Sequence, residues 1–316
     1  MIPGLRIGHA TDPVGLTGVT VLLPDRPAVG GVDIRGWAVG IHGLEFLDPR
    51  HLVPTLDGVV LAGGSAFGLE AIWGVMQWLE EHGTGFATSQ TVIPHVAGAI
   101  LYDLGVGDHR ARPDRAMGHA AAAAARPGPV AEGNVGAGTG ATVGKLRGAA
   151  CAMKGGLGCA TAALGDVAVG ALVAVNAVGD VRDPETGRLI AGTRNAADGR
   201  LLIDTAAALA AGAPAPRFRP VNTTIGVVAT TAALGKEEAT RLAQFGMDGF
   251  ARALSPPHLP SDGDALFALS IGDARADLLA LGAVAAHVVS DAIVRAVTTA
   301  LSLPGLPSAR DLATGR

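Results

Sequence analysis

Apolar and polar positions fall into blocks that predict strands first and a strand–helix alternation later. "TGVTVLLP" (17–24) reads as a strand stopped by Pro24, "WAVGIHG" (37–43) as another, and "LDGVVLAGG" (56–64) as a short buried strand closed by two glycines. "SAFGLEAIWGVMQWLEEHG" (65–83) predicts a helix, with Leu69, Ile72, Trp73, Met76 and Leu79 at helical spacing, Ser65 as a cap and Gly83 as the stop. "GAILYDLG" is a further strand. A glycine-rich stretch follows at 132–145, then a long apolar strand at 166–181 interrupted by Asn176.

From about 182 the pattern fades. Residues 191–222 have the composition of a flexible tail, with a marginal helix at "LLIDTAAALAA". Order then returns at once: a strand at 223–230, and a helix at 236–254 with Leu242, Phe245, Phe250 and Leu254 on one face. The turn-rich loop "SPPHLPSDGD", the strand "ALFALSIG" and a nearly all-apolar helix at 276–301 complete the chain. This order predicts layered sheets covered by helices.

Composition sharpens the layers. Of 316 residues 49% are apolar but only 3% aromatic, and 46 are glycine, so the core is built from small aliphatic side chains with backbones close together. The net charge of -4 and the lack of a Lys/Arg block argue against nucleic acid as a partner. Cys151 and Cys159, spaced C-x7-C, suit neither a zinc ribbon nor a redox pair and are expected reduced. The N-terminus lacks signal-peptide order and no charge-free apolar run reaches about 18 residues, so a cytoplasmic protein with no membrane partner is expected.

Several short motifs carry less than they promise. "GAGTGA" (136–141) fits G-x-G-x-x-A, but no strand precedes it and no acidic residue follows at the required distance. Most of its glycines read as turns where backbone meets backbone, although Lys145 closes a loop made almost entirely of small residues. "GGSAF" (63–67) has Phe67 where a nucleophile elbow needs glycine, so Ser65 is a helix cap or a pocket wall that touches substrate. The nine histidines show no metal spacing, and no metal or cofactor is expected.

The junction "VNTTIGVV" is different. Asn222, Thr223 and Thr224 open a buried strand directly behind the loose tail. β-Propensity accounts for either threonine but not for the abrupt return of order. A threonine hydroxyl can attack the carbonyl before it, here that of Asn222, to give an ester that water hydrolyses. Thr223 would then be a new N-terminus, its hydroxyl a nucleophile and its α-amine, of ordinary pKa about 7.7–8.0, a base. "SDGD" supplies two nearby carboxylates, Asp262 and Asp264, against the plain alternative of an Asp-Gly turn. Asn176 could donate to an oxyanion, and Tyr102 is either a satisfied core hydroxyl or a substrate contact.

Taken in order, "GLRIGHATD", "TGVTVLL", "LAGGSAFGLEA", "GAGTGATVGK", "KGGLG", "VNAVGD" and "NTTIGVVATTA" resemble the self-processing DmpA/NylC-like amidohydrolases: the D-aminopeptidase, the β-peptidyl aminopeptidases and the nylon-oligomer hydrolase. The likeness runs from about residue 4 to beyond 270. It implies an α/β chain folded as a four-layer αββα sandwich of the N-terminal-nucleophile type. It also implies a precursor that cuts itself into a large subunit, 1–222, and a small one, 223–316. On this resemblance Thr223 is the nucleophile, Lys145 and Asn176 (the oxyanion donor) assist it, Tyr102 lies near substrate, and Asp262 and Asp264 position and activate the nucleophile. The aminopeptidase branch carries a serine and a Ser-x-Glu pattern, so Thr223 and Asp262-Gly263-Asp264 lean toward the nylon-hydrolase branch. The implied substrate is a small peptide or linear amide of unbranched or β-amino acid character, and the implied assembly a homo-oligomer, tetramer or larger. An acyltransferase of the ornithine acetyltransferase type and a non-cleaving binding homologue are the alternatives.

Overall fold

The computed structural model describes residues 2–214 and 222–313. Ten strands, numbered in chain order, build two five-stranded sheets: β1 (Leu5–Asp12), β2 (Thr17–Pro24), β3 (Val29–Gly36), β4 (Ile41–His42), β5 (Gly58–Ala62), β6 (Val96–Ile100), β7 (Gly156–Leu164), β8 (Val167–Val175), β9 (Ile225–Ala232) and β10 (Gly263–Ala274). The first sheet has the order β1-β2-β5-β6-β4 and the second β7-β8-β9-β10-β3. Helices α1 (Glu70–Glu81) and α2 (Arg115–Ala123) cover the first, and α3 (Lys236–Ala253) and α4 (Leu278–Thr298) the second.

Neighbouring residues on a strand point to opposite faces, and here both faces are buried. Val59 and Leu61 of β5 and Val227 of β9 enter the core between the sheets, with Leu22, Leu172 and Phe267. Val60, one residue along, packs outward with Ile72, Val75 and Leu79 of α1. Val228 packs outward with Leu242 and Phe250 of α3 and Val289 and Ile293 of α4. The architecture is therefore the four-layer αββα sandwich that the family resemblance implied. The helix α4 is long and apolar enough to cross a bilayer by length and composition, yet its apolar face, Leu281, Ala285, Val288 and Ala292 among others, is spent on the sheet.

The small-residue composition has a direct structural reading. A Cβ on Gly158 of β7 would lie 2.0 Å from the Ala292 carbonyl oxygen of α4, and one on Gly31 of β3 would lie 2.3 Å from the Thr240 nitrogen of α3. Helix backbones rest on strand backbones at these points. This is also why β3 and β7 escape a search for apolar strands: glycines stand where bulky β-formers would be expected. The strand expected at 37–43 shrinks to Ile41–His42, and β3 precedes it. Residues 65–83 split into a 3-10 turn, Ser65–Leu69, and the α-helix proper, with Gly83 at φ 68° behind its end.

The tail expected from residue 191 is narrower than its composition suggests. Asp180, fully buried, accepts the Thr193 and Thr205 backbone N–H groups at 2.8 and 2.6 Å and the Thr205 hydroxyl at 2.7 Å. The buried Arg194 guanidinium donates to the Ala150 carbonyl at 2.6 Å. These contacts fix 191–205 to the body, and a short helix, Thr205–Ala210, follows. The part of the expected tail at 215–221 lies outside the described residues.

Replacing Gly158 with valine is expected to cost about 1–3 kcal/mol through overpacking against α4. Thermal unfolding checks this; an unchanged Tm would mean that helix and strand are not in contact there.

Candidate active site

The site grows from one strand pairing. In the second sheet β9 and β10 run parallel, whereas β7–β8, β8–β9 and β10–β3 are antiparallel. The register sets Ile225 opposite Ala265 and continues to a bridge between Asn222 and Asp262. Asn222-Thr223-Thr224 therefore lies alongside Asp262-Gly263-Asp264. The Gly263 N–H donates to the Asn222 carbonyl at 3.2 Å, and the Thr224 N–H donates to Asp264 Oδ1 at 2.8 Å. The Thr223 hydroxyl also donates to the Asn222 carbonyl oxygen, in a short contact.

Gly263 is glycine for a reason. A Cβ there would lie 2.4 Å from the Ala38 carbonyl oxygen and 2.9 Å from Thr223 Oγ1. The strand passes the threonine hydroxyl with no side chain between them.

The other flank comes from the end of β8. That strand stops at Val175, next to β9, and delivers Asn176 to the site. The Asn176 carbonyl accepts the Thr223 N–H at 3.1 Å and Lys145 Nζ at 2.9 Å. Its side-chain Oδ1 accepts Lys145 Nζ at 2.8 Å and the Thr142 N–H at 3.0 Å, while Nδ2 donates to the Tyr102 carbonyl at 3.1 Å. Besides the Thr223 hydroxyl, the donor placed on the Asn222 carbonyl is thus the Gly263 amide. The Asn176 amide, read as an oxyanion donor from sequence, is engaged in joining Thr142, Lys145 and Tyr102.

The charges are confined. Burial pushes the Lys145 amine down to about 7, with the Asp262 charge acting the other way. Burial, and then Asp264, raise the Asp262 carboxyl above the ordinary range. Asp262 Oδ2 accepts the Leu259 N–H at 3.0 Å, but its Oδ1 is buried without a partner. Asn222 Oδ1, Thr224 Oγ1 and His258 Nε2 share that condition, so four of the six such side-chain atoms among the described residues cluster here. Buried polar groups normally find partners, and a concentration of orphans marks a place selected for something other than stability.

A cavity of about 890 Å³ opens beside these groups, with Asn222, Lys145, Thr142 and Tyr102 in its wall. Leu16, Val106, Leu146, Val178, Leu303 and Leu306 make most of the rest apolar. Ser65 does not join it. That residue opens the 3-10 turn in left-handed backbone, φ 55°, with its N–H on the Leu101 carbonyl, and it is neither the cap of α1 nor part of the cavity wall.

Sequence reasoning passed over two residues. His258 contacts Asp264, its Nδ1 lying 2.9 Å from Oδ2. Lys154 is fully buried, its ammonium on the Gly138 and Ala141 carbonyls at 2.8 and 2.9 Å. It pins the glycine loop, whose Gly138 approaches the Leu157 backbone so closely that a Cβ would lie 2.3 Å from its nitrogen. Its place in "KGGLG" was the available signal; His258 had none beyond its position in the loop before the paired aspartates. Among the described residues no cluster of three His, Cys, Asp or Glu side chains is placed to hold a metal.

Two sheets face each other between layers of helices, and at the end of one strand the Asn222–Thr223 amide bond is held under a threonine hydroxyl. The chain belongs to peptidase family S58, whose model matches residues 2–310. An uncharacterized aminopeptidase of Mycobacterium tuberculosis is 40% identical over 99% of this chain and 97% of its own length. The 6-aminohexanoate-oligomer endohydrolase of Paenarthrobacter ureafaciens is 35% identical over 93% of this chain and 84% of its own. Solved structures share the fold at lower identity. A Burkholderia sp. beta-aminopeptidase matches with TM-score 0.70 and 24% identity, covering 99% of this chain and 91% of that one. An L-aminopeptidase D-Ala-esterase/amidase from Ochrobactrum anthropi, described as a variant of the Ntn hydrolase fold, gives 0.73 and 20%, covering 99% and 90%. The protein is a hydrolase of peptide or amide bonds.

The depressed Lys145 pKa has a stability consequence with a fixed sign. The unfolded amine binds its proton up to about 10.4 and the folded one only to about 7. Below pH 7 the fold bears the full cost of burying the charged amine; between 7 and 10 it folds neutral instead, and the cost of giving up the proton fades as pH rises. Denaturant titrations should show wild type gaining stability relative to Lys145→Met between pH 7 and 10. Parallel curves would place the amine in contact with bulk water.

Proposed function

We infer that the chain activates itself by cutting the Asn222–Thr223 bond and then hydrolyses small peptides or linear amides through an acyl-enzyme on Thr223. The observation that carries this is the Thr223 hydroxyl resting on the carbonyl oxygen of the residue before it, in a strand start held from both sides.

Thr223 Oγ attacks the Asn222 carbonyl carbon, and the charge that develops on the oxygen is received by the Gly263 N–H. The C–N bond then breaks, and the hydroxyl proton ends on the Thr223 nitrogen. Lys145 is suited to carry it. Its amine is neutral above about pH 7 and donates to the same Asn176 carbonyl as the Thr223 N–H. Water hydrolyses the resulting ester, leaving the Asn222 carboxylate and a free Thr223 with its hydroxyl and α-amine restored. Turnover repeats the sequence on an external amide: Thr223 Oγ takes the acyl group, the amine departs with the proton, and water releases the acid.

The cavity wall is mostly apolar, and relatives are named as aminopeptidases and as a 6-aminohexanoate-oligomer endohydrolase. Both favour a linear substrate with an uncharged methylene or small apolar chain on the acyl side. Exposed apolar side chains, Val14, Trp37, Leu52 and Leu279, support assembly as a homo-oligomer, and we place the enzyme in the cytoplasm.

Intact-mass measurement should find two fragments, 1–222 and 223–316, and Thr223→Ala should leave one chain of 31.4 kDa with amide hydrolysis reduced by on the order of 10³-fold or more. A wild-type protein that stays whole after long incubation rejects this function. The rate of cutting should rise through about pH 7 as Lys145 loses its proton, whereas Lys145→Arg, whose guanidinium stays charged, should remain slow at every pH. A Lys145→Arg protein with the wild-type pH profile would remove the amine from proton transfer.

A further inference from the structure

The residue whose role remains open is His258. Its backbone N–H donates to Asp264 Oδ2 at 3.2 Å, and its ring Nδ1 stands 2.9 Å from the same oxygen. The other carboxylate oxygen, Oδ1, receives the Thr224 N–H at 2.8 Å. The loop bends back to make this double contact: His258 has φ 54°, the left-handed region that a β-carbon disfavours. The ring lies over Phe250 of α3, centroids 5.8 Å apart and planes 21° from parallel. Nδ1 faces a carboxylate and so carries the proton, while Nε2 is buried without a partner.

We propose that His258 is a positioning residue for the nucleophile, acting through Asp264. The inference rests on Thr223 being the nucleophile. A carboxylate free to rotate about its side chain offers the Thr224 N–H no fixed acceptor. Two donors on Oδ2 stop that rotation and leave Oδ1 aimed at the strand. Thr224 is then held one residue beyond Thr223, and the hydroxyl stays on the Asn222 carbonyl. His258 does not touch the reacting atoms. A displacement of the nucleophile by about 1 Å is enough to slow a reaction of this kind about 100-fold.

The competing role is packing, with the ring serving only as a platform on Phe250. Two substitutions separate them. His258→Asn gives up the stack but keeps an N–H able to reach Asp264 and tolerates left-handed backbone. His258→Phe keeps a stacking ring and loses the donor. The rate of cutting at Asn222–Thr223 and the Tm are read for both, alone and combined with Asp264→Asn. Positioning predicts cutting within about tenfold of wild type for the asparagine variant and about 100-fold slower for the phenylalanine variant. It also predicts no further loss when His258→Phe is added to Asp264→Asn.

Cutting at the wild-type rate in His258→Phe overturns the proposal, as do losses that multiply in the double variant. If His258→Phe does not fold, the asparagine variant decides alone: cutting within tenfold supports positioning, and a 100-fold loss at unchanged Tm overturns it. A wild type that never cuts overturns this proposal and the function above together. A wild type that cuts beside an unimpaired His258→Phe overturns this one only.

Discussion

The parallel pairing of β9 with β10 is the constraint from which the rest of the site follows. A parallel pair cannot be closed by a hairpin and needs a crossover, which α3 provides on the outer face. The shared register then decides which residues meet: Asn222 with Asp262, and Thr224 with Asp264. A slip of one residue would turn every β9 side chain to the opposite face, carrying Val227 out of the inter-sheet core and Val228 into it. The apolar packing of both faces thus locks the geometry of a few polar atoms at the strand ends.

Those atoms sit in an arrangement that trades stability for poise. An amine brought down to about 7 and a carboxyl raised by burial lie around one buried threonine, with several polar atoms lacking partners. Asn176 holds the two halves together, because its carbonyl serves Lys145 and Thr223 at once and its side chain ties in Thr142 and Tyr102.

Much of this was legible in the chain. The strands at 17–24 and 58–62 and the helices α3 and α4 follow directly from apolar runs and periodicity, because those segments bury bulky side chains. Asn176 stood out as an amide, although the apolar pattern predicts a strand running through it to 181, whereas the strand ends at Val175 and Asn176 follows it. β3 and β7 were not legible, since close helix contact demands glycine where strand propensity would place valine. The ordering of 191–205 was hidden because it depends on one buried carboxylate, Asp180, reaching three groups from two later segments. Lys154 and His258 were missed for a related reason. Each is defined by carbonyls or a carboxylate brought to it by the fold, and beyond the "KGGLG" run around Lys154 neither has a local pattern of its own.

The crossover has a further consequence, for timing. β9, α3 and β10 are contiguous in sequence, so the strand pair beside the Asn222–Thr223 bond can form from local contacts alone. Lys145 and Asn176, however, belong to the segment before that bond and reach it only when β8 has joined β9. A half-assembled chain therefore presents the threonine without the amine and the carbonyl that flank it. If the chain cuts itself as proposed, the bond meets its full set of groups only after the two parts of the chain have recognised each other, and the site is a checkpoint on its own assembly.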